Sequence, residues 1–507
     1  MNRQPEYENI PREAFEFVER SGAIHDQKFE TKPIGYFKDA WIRFRRNQSS
    51  VIAACIIMVL VLYAIFVPIF CETNYSRSLT DTDYLNYTKL PPKIEWLGIK
   101  GQSNNTLNAT TYLSYKAMGI ETGMDPIVAV YRENYEDPTA SKNARYYDVC
   151  IDEYYRMGMT YLTLTYAQFE DIQAWQDEHG IEVIFPAIKD SKQTDANIWY
   201  EANKKGAPTL DKEGNLKPIY KTTTPEDTTY HSLRIAADND PEKPMAYARV
   251  TGTSTAKSYV VRVSKYNYFQ YRYGFEPTFV FGTNARGQDI FTRLASGARF
   301  SFLLAISISA INLFIGAMYG STAGYYGGAV DMFMERVTDV LSGIPFIVVT
   351  SLFQMHLARK VGPVMSLVFA FILTGWIGVA GTVRMQFYRF KGQEYILAAR
   401  TLGAKDSRLM FKHIFPNSLG TLITSSVLAI PGVIFSESSL TYLGIINLDS
   451  STMTSVGTML ANGKDYLATY PHIIFFPALF ISLLEISFNL FGNGLRDAFN
   501  PSLRGVE

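Results

Sequence analysis

The chain has 507 residues, and its 48 basic side chains balance 48 acidic ones, so net charge singles out no partner. A near-neutral mean hydropathy hides a sharp division between one polar, tyrosine-rich block and a set of long apolar runs. Crossing ~30 Å of hydrocarbon takes roughly 20 apolar residues, and the chain has six stretches that reach or approach this length, which excludes a soluble globular protein.

Residues 1–35 read as a polar tail with a short helix near Arg12–Arg20. Tyr36–Asn47 is a basic amphipathic helix, expected to lie at the inner membrane face. Val51–Phe70 carries no charge and forms the first span. Lys38, Arg43, Arg45 and Arg46 precede it, which places the N-terminus in the cytoplasm. The run is long, starts late and lacks a small-residue cleavage site, so it reads as a permanent anchor.

Glu72–Pro277 is a polar external segment with aromatic and β-branched residues throughout, the composition of folded chain. Ala167–His179 has a helical pattern closed by Gly180, while Tyr161–Thr165, Ile181–Ile188 and Tyr259–Tyr268 read as strands. Asp211–Asn215 is a turn between extended arms. The segment is therefore an inserted α+β domain. Its tyrosines read mainly as core or ordinary surface, with a peptide-binding surface as the sharper alternative. The Asn-x-Ser/Thr triplets at Asn74, Asn86, Asn104 and Asn108 read as chance. Cys55 lies in the first span. Cys71 and Cys150 fall outside, where spacing leaves a disulfide open and two free thiols are preferred. No cysteine–histidine cluster has the spacing of a metal site.

Phe281–Ser301 is a glycine-punctuated turn leading into an amphipathic interfacial helix. Phe300–Tyr319 is the second span. Met332–Phe353, the third, is weaker: Asp331, Glu335, Arg336 and Asp339 crowd its first turns, and Pro345 predicts a break. Arg336 and Asp339 can pair on one face, and with Asp331 they are candidates for a gate or a structural ion-pair network. Met365–Val383 is the fourth span. Ser418–Leu443 and Ile473–Leu490, with one acid each, are the fifth and sixth. Six spans return the C-terminus to the cytoplasm, in agreement with Arg496 and Arg504. Gly, Ser and Ala within several spans favour a packed bundle.

An acid within a span is costly and either paired or set in water. Glu437 sits among Ser436, Ser438 and Ser439, next to a bend expected at Pro431–Gly432. Glu437, Ser436, Ser439 and Glu485 are the candidates for a substrate path. Between the fourth and fifth spans, Glu394–Asn417 has helical periodicity twice. Ile396, Leu397, Ala399 and Leu402 can share one face, and Gly403 interrupts as a residue free to turn left-handed. Leu409, Met410, Phe411 and Ile414 follow, and Pro416 is expected to stop this second helix. Arg400, Lys405, Arg408 and Lys412 surround the loop, and Ala398 and Ala399 leave room for a partner.

This stretch resembles the cytoplasmic coupling loop of ABC importer permeases, whose pattern is Glu-Ala-Ala, three residues, Gly, nine residues, Ile-x-Leu-Pro. Aligned on Gly403, Ala398, Ala399 and Pro416 match. Leu397, His413 and Phe415 stand at the family's Glu, Ile and Leu. Ala-Ala-Arg-x-Leu-Gly-Ala, which includes Ala404, and His-Ile-Phe-Pro-Asn are similar to the oligopeptide/dipeptide branch. Further on, Gly282, Thr283, Gly287, Asp289, Arg293, Gly297 and Arg299 match the phrase that precedes the second span. There Asn284 and Gln288 replace an Asp and an Arg, so any ion pair these supplied is absent. The sequences around Glu437 and Gly492–Pro501 also resemble the branch.

The resemblance implies an all-α polytopic permease with six transmembrane helices and an inserted extracellular α+β domain. Its parts are a cytoplasmic tail and helix (1–50), a first span (51–71), the insert (72–280), a five-helix core (281–495) with its coupling loop at 387–417, and a tail (496–507). It implies a multi-pass protein of a bacterial cell membrane. It also implies a sister permease forming a heterodimer, one or two ATPase subunits and an extracellular peptide-binding lipoprotein. The loop residues Ala398, Ala399, Gly403, Ala404, Arg408, His413 and Pro416 would meet the ATPase. The substrate would be an oligopeptide, with nickel or another small solute left open.

No phosphate-binding loop is present. Asn462-Gly463-Lys464-Asp465 lacks the Ser/Thr that would ligate Mg²⁺, and Thr458 stands where the upstream Gly belongs. No nucleophile–base arrangement can be argued either. The chain is thus read as no enzyme, with no cofactor or metal of its own, ATP and Mg²⁺ belonging to partner subunits, and no nucleic-acid role. An extrusion-type permease typically has four spans and lacks this loop. A receptor would have little use for charges in several spans.

Overall fold

The computed structural model describes residues 36–71, 86–136, 145–189, 195–204, 206–224, 226–232, 244–253, 256–450 and 453–499. The helix expected near Arg12–Arg20, the Asn74 triplet, and the tail beyond Phe499 with Arg504 lie outside them.

The basic helix α1, Tyr36–Arg46, precedes the first long apolar helix α2, Gln48–Phe70, whose N-terminus is capped by Asn47. The polar segment then forms β1 (Lys93–Ile94), β2 (Ile99–Lys100), β3 (Gln102–Asn108), α3 (Ala109–Thr122), β4 (Ile127–Glu136) and β5 (Arg145–Asp152). It continues with β6 (Met159–Leu164), α4 (Tyr166–His179), β7 (Ile184–Phe185), β8 (Tyr230–His231), β9 (Ala248–Thr253), β10 (Ala256–Ser264) and α5 (Lys265–Tyr273). One sheet has the order β3-β5-β4; another has β6-β10-β9-β8, with β7 beside β10. Both sheets are antiparallel. A capping box at Thr165 starts α4, and Gly180, at φ +67°, ends it.

Two strand expectations need correction. The strand expected at Tyr259–Tyr268 ends at Ser264, whose hydroxyl accepts from the Asn267 N–H and starts α5, so Tyr266 and Tyr268 are helical. Ile181–Ile188 contributes only Ile184–Phe185, because Pro186 has no N–H for the ladder. The Asp211–Asn215 turn is present: the Asp211 carboxylate accepts from the Glu213 and Asn215 amides at 2.9 and 2.7 Å. Tyr154 and Tyr200 are core residues, and burial pushes both hydroxyl pKa values up. None of the three cysteines is joined in a disulfide.

The apolar part comprises α6 (Ile290–Tyr326), α7 (Gly328–Ser342), α8 (Phe346–His356), α9 (Ala358–Val361), α10 (Pro363–Thr374) and α11 (Ile377–Lys391). After these come α12 (Glu394–Thr401), α13 (Asp406–Arg408), α14 (Phe415–Tyr442), α15 (Val456–Gly463) and α16 (His472–Phe499). Among the described residues, five helical runs are long and apolar enough to cross a membrane. The pair α7 and α8, bent by 72° where Pro345 starts the second half, passes the same test only when taken together, giving five or six candidate spans.

Helix direction supports counting that bent pair as a span. Gly316, Gly320 and Gly324 of α6 lie against Val379, Ala380 and Arg384 of α11 in the same order, so the two helices run parallel. The chain must therefore return across the bundle between them, and α7–α8 makes that return. An even count also fits the ends. Phe44 of α1 packs edge-on against Phe491 of α16 at 5.4 Å, and the Ser50 hydroxyl donates to the Leu490 carbonyl at 3.0 Å.

The helix expected at the membrane interface before the second span is instead the first turns of α6. Ile290, Leu294, Ala295 and Ala298 are buried there, and the Asp289 side chain caps the helix through the Phe291 and Thr292 amides. Within these turns Arg293 pairs with Asp449, and the Thr292 hydroxyl is bonded to Asp289.

Candidate functional site: the loop after α11 and the polar contacts of the bundle

The loop after α11 is built on a small apolar base. Ile396, Leu409, Met410 and Ile414 are buried against Tyr325, Val383, Phe387 and Leu422. Gly403 adopts φ +83°, and the backbone closes around it through Ala404 N–H to Ala399 C=O at 3.1 Å. A polar clasp ties the loop to the end of α6: the Tyr325 hydroxyl donates to Asp406 at 2.5 Å and accepts from Arg400 at 3.2 Å. Lys391 donates to the Gly324 carbonyl at 2.9 Å. Motion of this loop is thereby linked to α6 and α11.

The expected shared face splits. Ile396 is buried and Ala399 partly so, but Leu397 points out and Leu402 is 88% exposed. The helix is only two turns long, and its inner face is filled by Ile396 and, in part, Ala399. With Tyr395 and Phe411, also exposed, Leu397 and Leu402 leave an apolar outer surface. Ala398 and Arg408 are exposed, Ala404 and His413 half-buried.

Pro416 does not stop the second helix. A π-helical stretch, Leu409–Ile414, runs directly into α14, and Pro416 occupies its first turn. The wider turn, in which the Phe415 N–H reaches Met410 C=O, carries the chain past the proline, whose missing N–H costs little in a first turn.

The charges of α7 divide into two sets. Asp331 accepts from Arg384 Nε and Nη2 at 2.6 and 2.7 Å and from the Tyr388 hydroxyl at 2.6 Å. Glu335 is 3.4 Å from the same guanidinium. Arg336 and Asp339 pair with each other at 3.2 Å on the exposed face. Sequence reasoning missed Arg384 and Tyr388. The signal was an arginine at the end of an otherwise apolar fourth span, with a tyrosine four residues on, on the same face.

Glu437 is 0% exposed and accepts from Thr441, Ser301 and Ser438 at 3.1, 3.3 and 3.4 Å. Of the two alternatives for this acid, pairing by hydroxyls is the observed one, and an open aqueous path is not. Ser436 and Ser439 are half-buried and hold no bond to it. Ser439 instead lines an apolar groove of about 490 Å³ with Phe435, Tyr442 and Ser482. Glu485, half-buried on α16, is not bonded to Glu437, so the four path candidates do not converge.

At the other end of the bundle, Asp449 binds Arg286 at 2.6 Å, Arg293 at 2.9 Å and Asn462 at 3.2 Å, beside a cavity of about 600 Å³. Asn284 donates to Gln288 at 3.1 Å, so a neutral amide pair occupies the positions where the sequence lacks an ion pair.

Residues 313–505 match the binding-protein-dependent transport system inner membrane component family, and residues 35–92 match the N-terminal TM domain of oligopeptide transport permease C. The oligopeptide transport system permease protein OppC of Bacillus subtilis is 41% identical over 224 residues, 44% of this chain and 72% of that protein. The chain belongs to this permease family. The dipeptide transport system permease protein DppC of Bacillus subtilis is 39% identical over 225 residues, 44% of this chain and 69% of that protein. OppC of Haemophilus influenzae is 37% identical, covering 70% of its length. Within this permease the two sheets and their helices fall outside both matched regions. The loop between α11 and α14, the Asp331 contacts and Glu437 with Ser438 and Thr441 fall inside the larger one, while Ser301 lies just before it.

Proposed function

We propose that this permease forms, with a sister permease, the path by which oligopeptides cross a bacterial cell membrane, driven by one or two separate ATPase subunits. The observation that carries the reading is the loop between α11 and α14. It is fixed to the bundle by Ile396, Leu409, Ile414 and the Tyr325 clasp, while Leu397, Leu402 and Phe411 stay exposed on its far side. Such a surface fits the groove of an ATPase, and its tether passes movement to α6 and α11. ATP and Mg²⁺ belong to those subunits, and this chain performs no covalent chemistry. Peptide as cargo rests on the relatives, which are oligopeptide and dipeptide permeases.

In this reading the termini and the loop 387–417 face the cytoplasm. Residues 72–280 stand outside as an inserted domain, near an extracellular peptide-binding lipoprotein. A chain lacking native cysteines, with one cysteine replacing Lys212, should react with an impermeant thiol reagent on intact cells. One replacing Lys405 should react only after permeabilisation, and the opposite pattern overturns this topology.

Gly403→Val tests the coupling role. A β-branched side chain opposes the left-handed backbone, at a cost of about 1–2 kcal/mol, yet open space surrounds the position, so the bundle is spared. The variant should insert and co-purify with its sister permease, while uptake falls at least about tenfold and ATP hydrolysis no longer responds to substrate. Uptake at the wild-type rate would refute the coupling role.

A further inference from the structure

β3 ends the three-stranded sheet, with β5 on one edge and, among the described residues, no strand on the other. The direction of its backbone groups follows from the ladder. The Glu153 N–H donates to the Gly101 carbonyl at 3.2 Å, and the register continues with Gln102 opposite Asp152 and Ser103 opposite Ile151. Residues that exchange both bonds alternate along an antiparallel pair. Ser103, Asn105 and Leu107 thus bond to β5, and Gln102, Asn104 and Thr106 turn their N–H and C=O groups outward. The Asp152 N–H agrees, since it donates away from β3, to Pro126.

A cleft of about 510 Å³ follows this edge. Its wall takes Gln102 and Thr106 from one face of the strand and Ser103 and Leu107 from the other. Successive side chains point to opposite faces, so a cleft touching both sets runs along the strand's edge. The facing wall is Thr469–His472, where α16 begins. Lys89 lies at the cleft with its ammonium 5.4 Å from the Tyr470 ring centre, and Glu153 lies there paired with Arg156. Exposed edges are usually blunted by lysine, proline or a bulge. β3, Gln-Ser-Asn-Asn-Thr-Leu-Asn, has no charge and no proline, and its register with β5 is unbroken.

We propose that β3 captures an extended peptide by adding it as a further strand, and so holds cargo at the outer end of the bundle. This rests on peptide being the cargo. Recognition through backbone groups tolerates varied side chains, as a permease for mixed peptides needs, and the cleft holds charges of both signs to meet the peptide's two termini.

The test uses the assembled transporter in proteoliposomes with a proline-free hexapeptide. A photoreactive amino acid at Asn104 should capture the hexapeptide, identified by the mass of the adduct. In that background, Thr106→Pro removes both an outward N–H and the hydroxyl bond to Asp148, while Thr106→Val removes the hydroxyl bond alone. Capture should fall about three- to tenfold in the proline variant relative to the valine variant, with co-purification of the partners unchanged. Equal capture in the two variants overturns the proposal. So does an adduct to another stretch of this chain or to the binding lipoprotein in place of the hexapeptide. A transporter that accumulates the hexapeptide without capture at Asn104 refutes the β3 proposal alone, whereas one that accumulates no peptide refutes the cargo assignment as well.

Discussion

Gly320→Val is expected to remove most of the folded permease from the membrane. A side-chain carbon on Gly320 would lie 2.2 Å from the Ala380 carbonyl oxygen, and one on Gly316 or Gly324 would lie 2.8 or 2.6 Å from the carbonyls of Trp376 and Arg384. These neighbours are backbone atoms of α11, which no rotamer change can move aside. Small residues let two helices approach this closely in lipid, where association depends on packing rather than on the hydrophobic effect. Valine must push α6 from α11 along their whole contact. Overpacking of this kind costs about 1–3 kcal/mol, enough to lower the steady-state amount several-fold. Gly381, on α11 itself, meets nothing within 4 Å. Gly381→Val should therefore leave expression and the melting temperature of the detergent-purified protein close to wild type. Equal behaviour of the two variants would show that the α6–α11 contact is not the constraint.

Asp331→Ala should destabilise the permease by about 2–4 kcal/mol, because it strands a charge. The Arg384 guanidinium would lose its two-pronged partner and keep Glu335, at 3.4 Å, as its carboxylate, with the Tyr388 ring 5.4 Å away. A charge within a span tolerates little loss of pairing. The contact also joins the first half of the bent span to α11, whose inner end leads into the loop. The double variant Asp331→Ala, Arg384→Leu removes both charges and should regain more than half of the lost stability, measured as thermal aggregation in detergent. A double variant no better than the single one would mean that Asp331 serves the fold through Tyr388 rather than through charge.

Periodicity and composition determined much of this protein without any structure. Six apolar runs gave the spans, because hydrocarbon thickness sets a length that a sequence displays directly. Pro345 marked the break between α7 and α8. Gly403 marked the left-handed turn of the loop, since few other residues adopt it at no cost. The mixed helices and strands of the polar segment were legible for the same local reasons, as was the turn at Asp211.

The tertiary structure decided what distance along the chain conceals. Asp331 sits 53 residues from Arg384, and Arg293 sits 156 residues from Asp449. No local pattern could pair them. Leu397 and Leu402 share a face with Ile396 by arithmetic, but only the bundle fixes which side of a two-turn helix is covered. Ser264 ended a strand that its tyrosines seemed to prolong, because a cap competes with the ladder for the same backbone groups. The hydroxyls that satisfy Glu437 include Ser301 of another helix, and the open edge of β3 exists only once β5 has taken its other side. Local preference is written in neighbouring residues. Burial, long-range pairing and the choice of free edges belong to the packed chain, where each group's environment is made by segments far away in sequence.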